Sequence, residues 1–157
     1  MDHSGCGFFA LGDRSEESAL VLAYTGMRRG ELQGWKWSDL DFKDKNINIE
    51  RTRDRHGSRS PKTKKSYRKI LIDDFLLNQL KIYLKSCLET KFSKKRQLSD
   101  DDYVFISYQM REAVADYTLG KSFKKIFEET GIKNITPHCL RHTHATILIN
   151  QRVPKLT

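Results

Sequence analysis

Apolar residues along the chain recur first at helical intervals. Glu16–Gly26, EESALVLAYTG, carries that spacing and closes on Gly26, a frequent helix stop. A second short helix is expected to begin near Met27 and run through RRGELQGW. Alternation then replaces the helical period, so that NINIE at Asn46–Glu50 and YRKILI at Tyr67–Ile72 read as short strands. The stretch between them lacks apolar periodicity and contains Gly57 and Pro61, which predicts two antiparallel strands joined by a long loop. Asp73–Thr90 returns to helical spacing, with Phe75, Leu76, Leu80, Tyr83, Leu84, Cys87 and Leu88 on one broad face. Asp73 and Asp74 suit the positive N-terminal end of that helix. Lys91–Asp102 reads as a charged linker, followed by the short apolar run YVFI. Leu119–Gly131 repeats the helical pattern and its glycine stop. Thr136 as N-cap and Pro137 at the first helical position then open a last helix, HCLRHTHATILIN. The pattern is that of an α+β fold, mainly α, with a small antiparallel sheet and one long β-hairpin.

Composition narrows the class. At 157 residues a single domain is expected, and such a chain can bury roughly 68–70% of its unfolded surface without metals or cross-links. The longest clear apolar run, Ala19–Tyr24, is far short of the roughly 20 residues of a membrane span, and the N-terminus lacks the basic start of a signal peptide. A soluble, cytoplasmic protein with no membrane partner is the expectation. Cys6, Cys87 and Cys139 are odd in number and show no short paired spacing, which fits reduced structural thiols.

The net charge of +9 is concentrated. Arg51–Lys69, RTRDRHGSRSPKTKKSYRK, holds nine basic residues and one acid, making the predicted hairpin strongly basic. A second cluster, KFSKKRQ at Lys91–Gln97, is followed at once by Asp100, Asp101 and Asp102 and partly neutralises itself. Concentrated Lys and Arg on an otherwise balanced chain is the footprint of a polyphosphate partner, because each neutralised phosphate releases condensed counterions. A solvated loop would have the same composition.

Two short stretches carry candidate chemistry. In the last helix, His138 and Arg141 are three residues apart and His138 and His142 four, so they share a face. A metal reading would use His138 and His142, but it needs a third ligand and, for a protease, an acid where Cys139 stands; no metal or cofactor is expected. A phosphate reading uses the Arg141 fork as a clamp for two oxygens, with His138 beside it as donor or proton shuttle. His144 falls with Leu140, Ile147 and Leu148 on an apolar stripe, which suits packing. Near the N-terminus, TGMRRGEL sets Arg28 and Glu31 three apart, so the carboxylate can orient the guanidinium; a bland surface ion pair would look the same.

TGMRRGEL, PKTKKSYRKILI and HCLRHTHAT, in that order, resemble the catalytic domain of the tyrosine recombinases, the phage-type integrases, and most of all those of integrative mobile elements. The similarity runs from about Ser18 to Leu156, leaving 1–17 unplaced and 18–157 as a partial catalytic domain with its C-terminal helices missing. The resemblance implies catalytic roles for Arg28, Lys62, His138 and Arg141, a supporting role for Glu31, and DNA contacts from Arg59, Lys64 and Lys65. In the implied mechanism a tyrosine attacks a DNA phosphodiester, forming a 3′-phosphotyrosyl link and releasing a 5′-hydroxyl. Arg28 and Arg141 would neutralise the nonbridging oxygens, Lys62 would protonate the leaving oxygen, and His138 would assist proton transfer. The implied partners are double-stranded DNA and other recombinase protomers, in a prokaryotic cytoplasm and linked to a phage or mobile element.

The family places another His or Trp, then the nucleophilic Tyr, after its His-x-x-Arg motif. Here Thr157 stands sixteen residues past Arg141, and Tyr24, Tyr67, Tyr83, Tyr103, Tyr108 and Tyr117 all precede it. The expectation is therefore a core that binds DNA and does not cleave it alone. Two other readings fit the same residues: a non-catalytic DNA-binding remnant or regulator, and a type IB topoisomerase-like protein with similar Arg, Lys, His and Tyr chemistry. TGMRRGEL followed by the HCLRH helix favours the recombinase.

Overall fold

A computed structural model of the chain describes residues 15–60, 67–106, 116–132 and 136–151. Helix α1, Ser15–Thr25, carries Glu16 and Glu17 in its first turn, where carboxylates complement the helix dipole. It stops where expected, at Gly26, whose φ of 62° lies in the left-handed region that glycine enters without steric cost. Arg28 is the N-cap of α2, Arg29–Gly34, and a 3-10 turn at Trp37–Asp39 leads into the two-residue strand β1, Leu40–Asp41.

The two expected strands are β2, Asn46–Ile49, and β5, Arg68–Leu71, antiparallel with Ile47 opposite Ile70 and Ile49 opposite Arg68. With β1 they form a sheet of order β1-β2-β5. The segment between β2 and β5 corrects the expectation of a plain loop. Thr52–Asp54 (β3) and Gly57–Arg59 (β4) pair as a hairpin of their own. The carboxylate of Asp54 accepts the His56 amide at 2.7 Å, and Gly57 takes a φ of 112° in the turn. Both faces of this small hairpin are polar, so no hydrophobic alternation announces it. Lys62, Lys64 and Lys65 lie outside the described residues.

Helix α3 spans Asp74–Ser93, three residues beyond the predicted end, with Asp73 as its N-cap accepting the Leu76 amide at 2.8 Å. Leu76, Leu80, Tyr83 and Cys87 are buried as expected, and Leu77 joins them. Phe75 and Leu88 do not; they are 49% and 47% exposed. At about 100° per residue both fall outside the arc centred on Leu80 and Cys87, and Phe75 instead meets Tyr24 at the surface, ring centroids 5.3 Å apart. The YVFI run is not a regular strand. Tyr103 forms one bridge to Lys36, and the Val104 amide reaches the Trp35 carbonyl at 2.9 Å. Phe105 packs between Trp35 and Tyr83, whose hydroxyl donates to the Val104 carbonyl at 3.0 Å. The second basic cluster is partly neutralised as expected, with Lys91 on Asp102; Asp101 pairs with Lys36.

Helix α4, Asp116–Thr130, starts before Leu119 and stops at Gly131, φ 70°. Helix α5, Pro137–Asn150, begins as predicted, with the Thr136 hydroxyl accepting the Cys139 amide at 3.1 Å. The core is built around α1, which packs on α3, α4 and α5, while α2 lies on β3. Gly30 and Gly34, four apart on α2, permit that approach: a Cβ on Gly30 would stand 3.0 Å from the Arg53 carbonyl oxygen. The expected stripe on α5 is only partly used, since Leu140 packs on the core whereas Ile147 and Leu148 are 49% and 38% exposed. Cys87 is buried, Cys139 is exposed, and Cys6 lies outside the described residues. Among the described residues no helix is long and apolar enough to cross a membrane.

Candidate phosphate-binding pocket

The start of α2 and the start of α5, more than a hundred residues apart in the chain, meet at an open pocket of about 620 Å³. Arg28, Arg29 and Gly30 line one side; Thr136, Pro137, His138 and Arg141 line the other. The structure thus brings together Arg28, His138 and Arg141.

Two side chains on one face of α5 hold it there. The last carbonyls of a helix have no partner within it, and α5 meets one of them at the end of α1 together with the carbonyl of Gly26 just past it. Arg141 Nη1 donates to the Gly26 carbonyl, and His144 Nδ1 lies 3.1 Å from that of Ala23. A carbonyl only accepts, so His144 carries a proton on Nδ1. Its packing role was expected; the hydrogen bond is an addition. A Cβ on Gly26 would lie 2.5 Å from His144 Cδ2, so glycine is required there both for its φ and for space.

Glu31 anchors the opposite wall. Its carboxylate, 4% exposed, accepts the Arg28 backbone amide at 2.7 Å and reaches Arg28 Nη1 at 3.3 Å. Arg68, the first residue of β5, takes both oxygens, Nη1 to Oε1 at 2.8 Å and Nη2 to Oε2 at 2.9 Å. Burial pushes the Glu31 carboxyl up, but the Arg68 and Arg28 hydrogen bonds and charges outweigh it and leave the group below its ordinary value. Sequence reasoning found the Arg28–Glu31 pair and missed Arg68. One signal was present: in YRKILI, Arg68 shares its strand face with Ile70, and a charge on a half-buried face needs a partner.

Partial burial, and then the nearby Arg28 and Arg68 charges, lower the pKa of Arg141 from the usual arginine value, with Glu31 opposing. One buried carboxylate therefore stands among three guanidinium groups, and the excess positive charge favours an anion in the pocket. His138 and His142 share a face as expected, Nε2 to Nε2 2.8 Å with rings edge-on, so one ring donates and the other accepts. Among the described residues no group of three or more His, Cys, Asp or Glu could hold a metal ion.

Arg59 is not part of the pocket lining; it lies on β4 and pairs with Asp54 at 3.5 Å. Tyr24, Tyr67, Tyr83 and Tyr103 do not line it either. Tyr103 hydrogen-bonds Ser58 at 2.8 Å and has Arg53 and Lys36 against its ring. Tyr108 and the Tyr117 side chain lie outside what is described.

Residues 11–156 match the phage integrase family. The chain is 32% identical to a XerC-like tyrosine recombinase of Caldanaerobacter subterraneus over 94% of its own length and 42% of the relative's. It is 34% identical to the integrase of Staphylococcus phage L54a, over 85% of the chain and 39% of that protein. The chain therefore spans less than half the length of these curated relatives. Among solved structures, the Tn1549 transposon integrase in complex with transposon right end DNA superposes with a TM-score of 0.68 at 24% identity, covering 88% of this chain and 47% of that one. The XerA recombinase superposes with a TM-score of 0.63 at 28% identity, covering 88% and 43%.

Proposed function

The chain belongs to the phage integrase family, the tyrosine recombinases, and from that membership we propose that its pocket grips a phosphodiester of double-stranded DNA within the catalytic core of a site-specific recombinase. The observation that carries the reading is the convergence of Arg28, His138 and Arg141 on one open pocket, with the Glu31 carboxylate beside Arg28 already engaged by Arg68. Arg28 and Arg141 donate to the nonbridging oxygens. Their positions are set before the ligand arrives, Arg141 by the Gly26 carbonyl and Arg28 by the hold of Glu31 on its backbone amide, and preorganised donors of this kind are worth about 10²–10³ in rate when charge develops on a phosphate. His138 takes part in proton transfer with His142 as its hydrogen-bond partner. Lys62, in the basic Arg51–Lys69 stretch, is the acid for the leaving oxygen, and Arg59, Lys64 and Lys65 hold the DNA backbone.

Tyr24, Tyr67, Tyr83 and Tyr103 stand away from the pocket lining, so none of these four is the attacking tyrosine in this arrangement. Further recombinase protomers are the chain's partners on paired DNA sites. The phage and transposon relatives support a setting in a prokaryotic cytoplasm beside a mobile element.

Fluorescence polarisation with a labelled duplex tests the reading. Binding at low salt should weaken along a log–log line as salt rises. Arg28→Ala and Arg141→Ala should each weaken it about tenfold or more, the scale of a hydrogen bond to a charged group. A duplex that does not bind at low salt, or two variants that bind like the wild type, would overturn it.

A further inference from the structure

Arg68 does not line the pocket, yet it controls the carboxylate that orients Arg28. Its two nitrogens engage both Glu31 oxygens in a parallel fork, 2.8 and 2.9 Å, the strongest arrangement open to this ion pair. The Arg28 amide, at 2.7 Å, takes a third acceptor position. What is left for the Arg28 guanidinium is one longer contact of 3.3 Å, and the Arg28 side chain is 59% exposed where that of Arg68 is 30% exposed.

We propose that Arg68 is a positioning residue that saturates Glu31 and so keeps the Arg28 guanidinium turned toward the pocket. The inference rests on the reading of that pocket as a phosphate site. Without Arg68, Glu31 would be a buried carboxylate with Arg28 as its nearest cation, and a buried charge takes the counter-charge within reach. Arg28, three residues away on the same turn, would swing inward to form the fork itself. The pocket would then lose a phosphate donor although Arg28 is still present. The same pair ties the first residue of β5 to α2, so the edge of the sheet and the wall of the pocket share one carboxylate.

The test is a set of charge variants read by duplex-DNA polarisation and by side-chain NMR of the free protein, with thermal melting to establish folding. Arg68→Ala should bind DNA about tenfold more weakly, and adding Glu31→Gln should recover about threefold of that loss, because a neutral amide no longer captures Arg28. If Arg68 touches DNA itself, or serves only to stabilise the sheet, the double variant stays as weak as the single one and the inference falls. Should Arg68→Ala fail to fold, Arg68→Lys keeps the charge but loses the fork, so it should weaken binding by a smaller factor that Glu31→Gln again partly reverses. The NMR reading is independent of DNA: the Arg28 Nε–H group should become more ordered when Arg68 is replaced. Unchanged order would overturn the positioning role even if DNA binding stands, whereas increased order in a chain that binds no DNA would support it while removing the phosphate reading.

Discussion

Replacing Gly26 by Ala should strike the joint on which α5 is hung. At φ 62° an L residue incurs roughly 1–2 kcal/mol of strain. The new methyl would also stand 2.5 Å from His144 Cδ2 and 3.0 Å from Cγ, well inside the roughly 3.5–4.0 Å of a normal carbon contact. The ring must withdraw and give up its bond to the Ala23 carbonyl, a further loss of about 0.5–1.5 kcal/mol. The expected cost is about 1.5–3.5 kcal/mol, a large share of the roughly 5–15 kcal/mol that stabilises a typical domain. Urea unfolding measures it as a lower midpoint at unchanged slope. A double-mutant cycle locates the cause. His144→Ala removes both the obstructing ring and its hydrogen bond, so Gly26→Ala with His144→Ala should cost about 1 kcal/mol less than the two singles summed. Additive costs, or a Gly26→Ala change below about 0.5 kcal/mol, would refute the account of this joint.

Glu31 should shape the acid limb of stability. Its folded pKa lies below the ordinary 4.5, so its contribution is complete above that value and is lost as pH falls through the lowered one; Glu31→Gln should flatten this limb in unfolding curves taken from pH 7 to 3. Gly30→Ala should cost about 1–3 kcal/mol and lower the urea midpoint, since its Cβ would meet Thr52 Oγ1 at 2.5 Å and the Arg53 carbonyl oxygen at 3.0 Å. Gly34→Ala, whose contacts begin at 3.1 Å, should lower it less.

Features specified by neighbouring residues were legible in the sequence. Gly26 and Gly131 end helices because glycine accepts positive φ, and Thr136-Pro137 starts one because the hydroxyl caps and proline tolerates the first turn. β2 and β5 were visible as alternation around Ile47, Ile49 and Ile70. The β3–β4 hairpin was not, because Thr52–Asp54 and Gly57–Arg59 bury no apolar face. Phe75 and Leu88 show the limit of helical spacing, which places residues around an axis without saying how wide an arc the neighbours cover. At the pocket, spacing alone suggested the Arg28–Glu31 and His138–Arg141 groupings, and the family resemblance joined them into one site. The Arg68–Glu31 fork links residues 37 apart through the pairing of β2 with β5, information that resides in strand register and not in any local motif.

The central claim is that Arg28, His138 and Arg141 act as one phosphate-binding pocket. It is tested most directly by titrating the ¹⁵N-labelled chain with a short duplex at low salt while following the Arg28 and Arg141 Nε–H signals and the Gly30 and His138 amides. These four should move together along a single saturation curve and return as salt is raised. Signals that stay in place while others elsewhere on the surface respond to DNA would contradict it.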